Sequence, residues 1–198
     1  GPSYIPLRDG FQSVPRKIIR NKTEKILITT GGSDHFGFTE KFISFIIENN
    51  LFWDMSFDII CGKFCSRADL LSDISSAREN IKIFSNVQNI AEHMKTADIA
   101  ISAAGTSLYE LSACGTPAVC FTLADNQLEN AKAFAEDGTM LYAGDIRSSI
   151  GETIVRICDC LTLLANDKEA RKQQSEKMQS LVDGKGAGRI AKALVKMI

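Results

Sequence analysis

The sequence predicts an α/β domain built on a doubly wound parallel sheet. Five or six short apolar segments of β type alternate with segments of helical spacing, and such alternation requires right-handed β-α-β crossovers. Two of these segments, "DIAIS" (98–102) and "PAVCF" (117–121), are apolar on both sides, as expected of strands that helices cover on both faces of a sheet. The 198 residues are enough for one such domain and a short appendage.

The regular elements begin with "KILITT" (25–30), a short apolar run of β type that Gly31 and Gly32 close. The β-type segments together predict strands over residues 25–30, 55–61, 81–84, 98–102, 117–121 and 140–144. Helical spacing follows each of the first five, and Gly115 and Gly138 end two of the helices. The predicted helices cover residues 39–50, 66–77, 87–97, 107–115 and 127–138, and two or three more helices finish the chain over residues 150–167, 169–182 and 187–198.

Residues 1–21 are predicted to be a linker or an extended arm, and residues 22–198 the domain. The first 17 residues hold three of the four prolines and no usable periodicity.

Composition and charge exclude several classes of function. Hydrophobic residues make up 44% and charged residues 24% of the chain, an ordinary globular mixture. The net charge of -1 gives no electrostatic case for binding nucleic acid or an acidic membrane surface. No apolar run approaches the roughly 18–20 residues that span a bilayer, and no signal peptide opens the chain, so we expect a cytoplasmic protein. The six cysteines match neither zinc spacing nor a disulfide framework, and we expect reduced thiols, no metal and no cofactor.

Ligands of doubly wound sheets bind beyond the carboxyl ends of the strands, so the turns after the strands are the places to search. The first is "TTGGSDHFG" (29–37). Gly31 and Gly32 allow the backbone to come close to a ligand, and Ser33 and the nearby amides can donate to an anion. Taken alone, the motif is better explained as a tight strand-to-helix turn, because it is neither a dinucleotide fingerprint nor a P-loop.

The second turn is "AAGTS" (103–107), which leads into a predicted helix. Small residues at a helix start expose unpaired amides, and the hydroxyls of Thr106 and Ser107 beside Gly105 add donors that suit phosphate oxygens. Glu110, three residues after Ser107, can accept hydrogen bonds from a vicinal diol such as that of a ribose. Stabilisation of the helix dipole by Glu110 is the alternative.

The third turn is "TLADNQLENA" (122–131). Asn126, Gln127 and Asn130 bring amides that both donate and accept hydrogen bonds, which suits sugar hydroxyls and N-acetyl groups. The alternative is that Asp125 or Asn126 only caps the helix that begins near Gln127.

The two histidines carry little functional signal. His93 lies within a helical pattern and is interpreted as a surface or packing residue. His35 lies in the glycine turn and can reach a ligand phosphate there, but no partner for catalysis is visible in the sequence.

Taken together, the turns resemble the C-terminal, nucleotide-binding half of a two-domain enzyme of the GT-B type. The chain is most similar to the UDP-sugar hydrolases of pseudaminic acid biosynthesis, relatives of the N-acetylglucosaminyltransferase that makes lipid II. "GPSYIPLRDGF" resembles their inter-domain segment and "ITTGGSD" their glycine turn. "GTSLYELSACGTPAV" and "LADNQLENA" carry the most specific resemblance. A Rossmann-like C-terminal domain is therefore implied.

The resemblance implies a role for each turn in binding UDP or a UDP-sugar. The glycine turn, Gly31, Gly32 and Ser33, would approach the substrate or diphosphate, and the backbone at Phe84 and Ser85 would border the uracil. The diphosphate and ribose would be held by Gly105, Thr106, Ser107 and Glu110, and the sugar or diphosphate would be faced by Asn126, Gln127 and Asn130.

The family's catalytic histidine is expected in an N-terminal partner domain that this chain does not contain. We therefore expect the chain by itself to bind UDP weakly and to catalyse nothing. The resemblance favours a parent enzyme that hydrolyses a UDP-linked diacetamido-trideoxy sugar. A glycosyltransferase with the same donor half is the alternative, followed by a stand-alone binding module. A nicotinamide-dependent oxidoreductase is disfavoured because the dinucleotide fingerprint is absent.

Overall fold

The computed structural model describes residues 1–62, 73, 76 and 78–196, and within them a six-stranded sheet is formed. All five strand pairings are parallel. The strands are β1 (Lys25–Thr29), β2 (Ser56–Cys61), β3 (Ile81–Ser85), β4 (Ile99–Ala103), β5 (Ala118–Thr122) and β6 (Leu141–Asp145). The predicted doubly wound parallel sheet is confirmed, with each strand within one residue of its predicted bounds.

Among the described residues, helices connect β1 to β2, β3 to β4, β4 to β5 and β5 to β6, and further helices follow β6. The helices are α1 (Phe38–Glu48), α2 (Ile90–Thr96), α3 (Ser107–Cys114), α4 (Asp125–Glu136), α5 (Ile150–Asn166), α6 (Lys168–Leu181) and α7 (Gly186–Val195). The helix predicted over 87–97 begins three residues late, because a turn with Asn86 at φ 56° precedes it. The helix predicted over 66–77 lies outside the described residues, apart from positions 73 and 76.

The strand order places a crevice at the centre of the sheet. The order is β3-β2-β1-β4-β5-β6, so the winding direction reverses between β1 and β4. Ile28 of β1 lies opposite Ile59 of β2 on one side and Ile101 of β4 on the other. Crossovers leave β1 and β4 in opposite directions, and the space between their carboxyl ends is the usual ligand position in such sheets.

Each face of the sheet carries its own apolar core. Successive residues of β1 alternate between the cores, with Ile28 in one and Leu27 in the other, as the period of two along a strand requires. The first core is covered by α1 and α5, where the rings of Phe38 and Phe121 lie 4.2 Å apart between centroids. The second core is covered by α2, α3, α4 and α6. Burial on both faces explains why the strands are apolar on both sides.

The N-terminal arm (residues 1–21) packs against the domain. It contains two short 3-10 helices, Pro2–Tyr4 and Asp9–Phe11, and Phe11 is only 1% exposed. Leu7 and Phe11 belong to the same apolar core as Leu108 and Leu111 of α3.

Polar anchors hold the second half of the arm. The Lys17 Nζ donates to the carbonyl oxygens of Lys95 (2.6 Å) and Ala97 (2.5 Å) and to Thr116 Oγ1 (3.1 Å). Burial lowers the pKa of Lys17 to about 8. The buried Arg171 donates to the carbonyl oxygens of Arg20 and Asn21. The arm therefore follows a fixed path into the domain.

Candidate functional site at the carboxyl edge of the sheet

A cavity of about 670 Å³ lies beyond the carboxyl ends of β1, β2 and β4. Small-ligand pockets commonly measure about 300–1,000 Å³. The cavity is at the reversal of strand order, where a ligand is expected. Its walls come from the arm, the ends of the strands and the start of α3, namely Arg8, Thr29, Gly31, Gly32, Ile60, Cys61, Gly62, Asn86, Val87, Gln88, Ile90, Thr106, Ser107 and Glu110.

A larger groove of about 820 Å³ lies between the arm and α6. Long side chains of both signs line it, among them Arg16, Lys168, Glu169, Lys172 and Glu176. None of the three turns found in the sequence contributes to this groove, and its lining residues come from the arm and from α6. We therefore assign the candidate site to the smaller cavity.

The glycine turn after β1 is packed against the end of β2. A side-chain carbon at Gly62 would lie 2.2 Å from the carbonyl oxygen of Gly31 and 2.6 Å from that of Gly32. Since no such carbon fits against backbone oxygens at these distances, glycine is required at Gly62. Gly31 itself has φ 81°, which glycine adopts readily. Two backbones thus meet at one wall of the cavity, and only the first was found from the sequence.

The start of α3 presents donors to the cavity. Thr106 is the N-cap residue, and its side chain makes no capping hydrogen bond. The amides of Thr106 and Ser107 donate to none of the described residues, whereas the amide of Leu108 already bonds to the carbonyl of Gly105. Unpaired amides at a helix start carry partial positive charge, so this end of α3 is suited to an anion.

Glu110 and Arg8 form an ion pair at the cavity wall. Arg8 Nη2 lies 2.6 Å from Glu110 Oε1, and the side chains are 62% and 12% exposed. Glu110 also lies in the first turn of α3, where a carboxylate stabilises the helix dipole. This role and a role in binding a ligand do not exclude each other. The pair joins residues 102 positions apart, and Arg8 was not found from the sequence as a site residue.

The amides of the third turn are used inside the protein. The Gln127 Oε1 accepts from the amide of Leu123 (3.0 Å). The Asn130 Oδ1 accepts from the hydroxyl of Tyr109 (2.7 Å), and its Nδ2 donates to the carbonyl of Ala104 (3.3 Å). These bonds hold the turn before α3 against α4. Gly105 lies beside this contact, with the Gln127 Nε2 3.9 Å from where its side-chain carbon would be.

The helix cap proposed for the third turn is not formed. The N-cap residue of α4 is Ala124, and the helix begins at Asp125, without a side-chain capping bond. Asp125 instead accepts from Arg147 Nη1 at 2.6 Å. Asn126 is exposed. Neither Asn126 nor Ser33 of the glycine turn lines the cavity.

The wall next to β3 begins after the predicted positions. The ring of Phe84 packs edge-on against His93, with centroids 4.6 Å apart, and neither Phe84 nor Ser85 lines the cavity. The wall is formed by the next residues, Asn86 and Val87 with Gln88. Asn86 has a positive φ, which marks a tight turn. An asparagine in "SNVQ" is only a weak indication of such a turn in the sequence.

Neither histidine lines the cavity, whereas Cys61 does. His93 Nδ1 lies 3.1 Å from Asp58 Oδ2, which also pairs with Lys25, so its interpretation as a packing residue is confirmed. His35 is exposed and does not line the cavity. Burial raises the pKa values of three cysteine thiols to about 12, those of Cys114, Cys120 and Cys158.

A family model described as the glycosyltransferase family 28 C-terminal domain matches residues 26–189. Two curated proteins are similar in sequence. The uncharacterized protein MJ1062 of Methanocaldococcus jannaschii is 32% identical over 136 residues, which are 65% of this chain and 27% of that protein. The spore coat polysaccharide biosynthesis protein SpsG of Bacillus subtilis is 26% identical over 195 residues, 98% of this chain and 57% of SpsG. This chain thus spans little more than half of SpsG and a smaller part of MJ1062.

Solved structures share the fold at low sequence identity. MurG of Acinetobacter baumannii superposes with a TM-score of 0.68 at 18% identity, over 89% of this chain and 51% of MurG. UDP-GlcNAc 2-epimerase of Neisseria meningitidis, solved with UDP-GlcNAc bound, gives a TM-score of 0.62 at 16% identity, over 90% of this chain and 45% of the epimerase. No helix among the described residues has the length and apolar character to cross a membrane.

Proposed function

The chain belongs to the glycosyltransferase family 28 C-terminal domain family, and from this premise we propose that its cavity binds the UDP part of a UDP-sugar. One observation carries the proposal. At the reversal of strand order, a carboxylate on the first turn of α3 lies beside amides that have no partner among the described residues. These are complementary groups for a ribose diol and for the phosphates attached to it.

The diphosphate would lie against the start of α3. The amides and hydroxyls of Thr106 and Ser107 donate to phosphate oxygens, and the backbone at Gly31 and Gly32 allows a close approach. Arg8 supplies a full positive charge on the same wall. Because Arg8 also pairs with Glu110, the carboxylate does not repel the phosphates as an isolated negative charge would.

The nucleoside would occupy the side of the cavity between α3 and β3. Glu110 has two acceptor oxygens for the two hydroxyls of the ribose. From there the base reaches the turn of Asn86 and Val87, whose backbone borders the cavity. The uracil contact inferred at Phe84 and Ser85 is therefore proposed two residues further along. Gly105, Gln127 and Asn130 support the turn before α3, and a ligand contact by Ser33 or Asn126 stays a prediction.

The reaction of the whole protein is a separate proposal. Transfer of the sugar from UDP to an acceptor agrees with the family, which is described as a glycosyltransferase domain. Hydrolysis of the UDP-sugar is the second candidate, which the resemblance of "LADNQLENA" to the pseudaminic acid hydrolases favours. The two differ in a simple measurement on the full-length enzyme. Release of UDP without an acceptor supports hydrolysis, and release only with an acceptor supports transfer.

Calorimetric titration of the chain with UDP, UMP and NAD tests the proposed site. We expect UDP to bind more tightly than UMP, because UDP brings a second phosphate that UMP lacks, and we expect NAD to bind poorly. Glu110→Gln keeps the shape of the side chain and removes its charge, so we expect about a tenfold loss of UDP affinity. Glu129→Gln, at an exposed position of α4, is the matched control and should leave affinity unchanged. Equal binding of UDP by both variants would contradict the proposal.

A further inference from the structure

The C-terminal segment of the domain touches the arm on both sides of Arg8. A side-chain carbon at Gly186 would lie 2.1 Å from the carbonyl oxygen of Ile5. One at Gly184 would lie 2.1 Å from the carbonyl oxygen of Phe11. Arg8 is midway between these two contact points. The backbone that carries it is therefore held in place at both ends by glycines.

An ion pair between Arg189 and Asp183 links the same segment to the start of the arm. Arg189 Nη1 donates to the carbonyl oxygen of Ser3 at 2.8 Å and to Asp183 Oδ1 at 2.8 Å. A second bond joins Arg189 Nη2 to the other oxygen of Asp183. Residues 183–189, here called the C-terminal clamp, thus contact the arm at three points. The backbones of Gly184 and Gly186 pack against it, and Arg189 donates a hydrogen bond to it.

Continuous contacts lead from the clamp to the cavity. Phe11, whose carbonyl Gly184 covers, is buried against α3, and its ring lies under the Arg8 guanidinium at 5.6 Å. On its other side Arg8 pairs with Glu110 at 2.6 Å. The guanidinium is thus fixed between a buried ring and the carboxylate proposed for the ribose.

We propose that the C-terminal clamp is a positioning device for the nucleotide site, holding Arg8 where it meets the diphosphate. The inference rests on the proposed function of the cavity. The Arg8 side chain is 62% exposed, so in a free arm it would sample many rotamers and lose them on binding a ligand. A guanidinium that is held in place before binding avoids that loss of conformational entropy. Gly186 and Arg189 therefore affect the ligand only through the position of Arg8.

Gly186→Ala tests the clamp, with Gly188→Ala as a matched control on the same helix. The added carbon at Gly186 meets a backbone oxygen, whereas at Gly188 nothing lies within 4 Å. We expect Gly186→Ala to weaken UDP binding about tenfold, as much as Arg8→Ala does, and Gly188→Ala to change it less than about twofold. Hydrogen exchange of residues 5–12 should be faster in Gly186→Ala only.

The double variant separates positioning from a general loss of structure. In the Arg8→Ala background, Gly186→Ala should cause no further loss of UDP affinity, since the residue that it positions is gone. An equal loss in both backgrounds would overturn the inference, and so would UDP binding that needs Glu110 but not Gly186. UDP binding unaffected by Glu110→Gln would instead contradict the proposed function, while faster exchange in Gly186→Ala would still locate the arm contact.

Arg189→Ala is a milder variant should Gly186→Ala fold poorly. It removes the bond to the Ser3 carbonyl without adding an atom, and Lys192→Ala is its control of equal charge on α7. We expect a loss of UDP affinity of about threefold for Arg189→Ala and none for Lys192→Ala. Equal effects of the two substitutions would overturn the inference, because Arg189 donates to the carbonyl oxygen of Ser3, whereas Lys192 makes no hydrogen bond to the arm among the described residues.

Discussion

The two ends of α3 meet the same N-terminal arm in opposite ways. At the first end, the amides of Thr106 and Ser107 have no acceptor among the described residues, and Arg8 reaches the cavity from the arm. At the far end, Lys17 of the arm satisfies three acceptors at once, including Thr116 just beyond α3.

The polar groups of the far end are matched within the protein. The Gln179 side chain accepts from the amide of Lys17 and donates to the carbonyls of Pro15 and Ala113. Matched groups stabilise a fold but leave nothing for a ligand. Unmatched groups at a cavity are available for binding, so one short helix joins an anchored end to an end suited to a ligand.

The largest expected effect comes from adding a side-chain carbon at Gly62, where two backbones meet at the wall of the cavity. Gly62→Ala places a carbon 2.2 Å from a backbone oxygen that cannot move away freely. We expect a loss of about 3 kcal/mol in the free energy of unfolding, together with the loss of measurable UDP binding. Urea unfolding and calorimetry measure the two effects. Gly151→Ala, where nothing lies within 4 Å, is the control, and equal behaviour of the two variants would contradict the close packing.

A smaller effect is expected at the anchored end. Lys17→Met keeps much of the side-chain length but leaves the carbonyls of Lys95 and Ala97 without this donor. We expect a loss of about 2 kcal/mol in the free energy of unfolding, with UDP affinity nearly unchanged. Urea unfolding and titration with UDP give the comparison. A large loss of affinity without a loss of stability would show that the two ends of α3 are not separate in function.

The third and most gradual effect is a dependence of the free energy of unfolding on pH, which also comes from Lys17. Burial lowers the pKa of Lys17 from 10.5 to about 8, so between these values the unfolded chain binds more protons than the folded one. Lys17 therefore makes the free energy of unfolding rise with pH across this window, by at most about 1.4 kcal/mol per pH unit. The unaltered chain should gain stability relative to Lys17→Met from pH 8 to 10. A difference that stays constant or shrinks would contradict the burial of the ammonium group.

The sequence predicted the sheet, and it indicated the edge at which we propose a ligand, because both inferences follow from local patterns. Apolar runs such as "DIAIS" predict strands covered on both faces, and the helix that follows each run requires a parallel sheet. The turns after β1 and β4 carry their own chemistry in Gly31, Gly32, Thr106 and Ser107, all within a few residues of a strand end. Beside β3, a turn at Asn86 places the cavity wall two residues beyond the predicted Phe84 and Ser85, and contact with a base there stays a prediction.

By itself, then, the sequence determined the order of strands and helices along the chain and the two turns at which we propose ligand donors, because backbone geometry and hydrophobic period act over short distances. Only the tertiary structure decided that Arg8 forms an ion pair with Glu110, that Gly62 packs against Gly31, and that Asn130 accepts a hydrogen bond from Tyr109. These contacts join residues far apart in the chain, and no local pattern records which distant groups folding brings together.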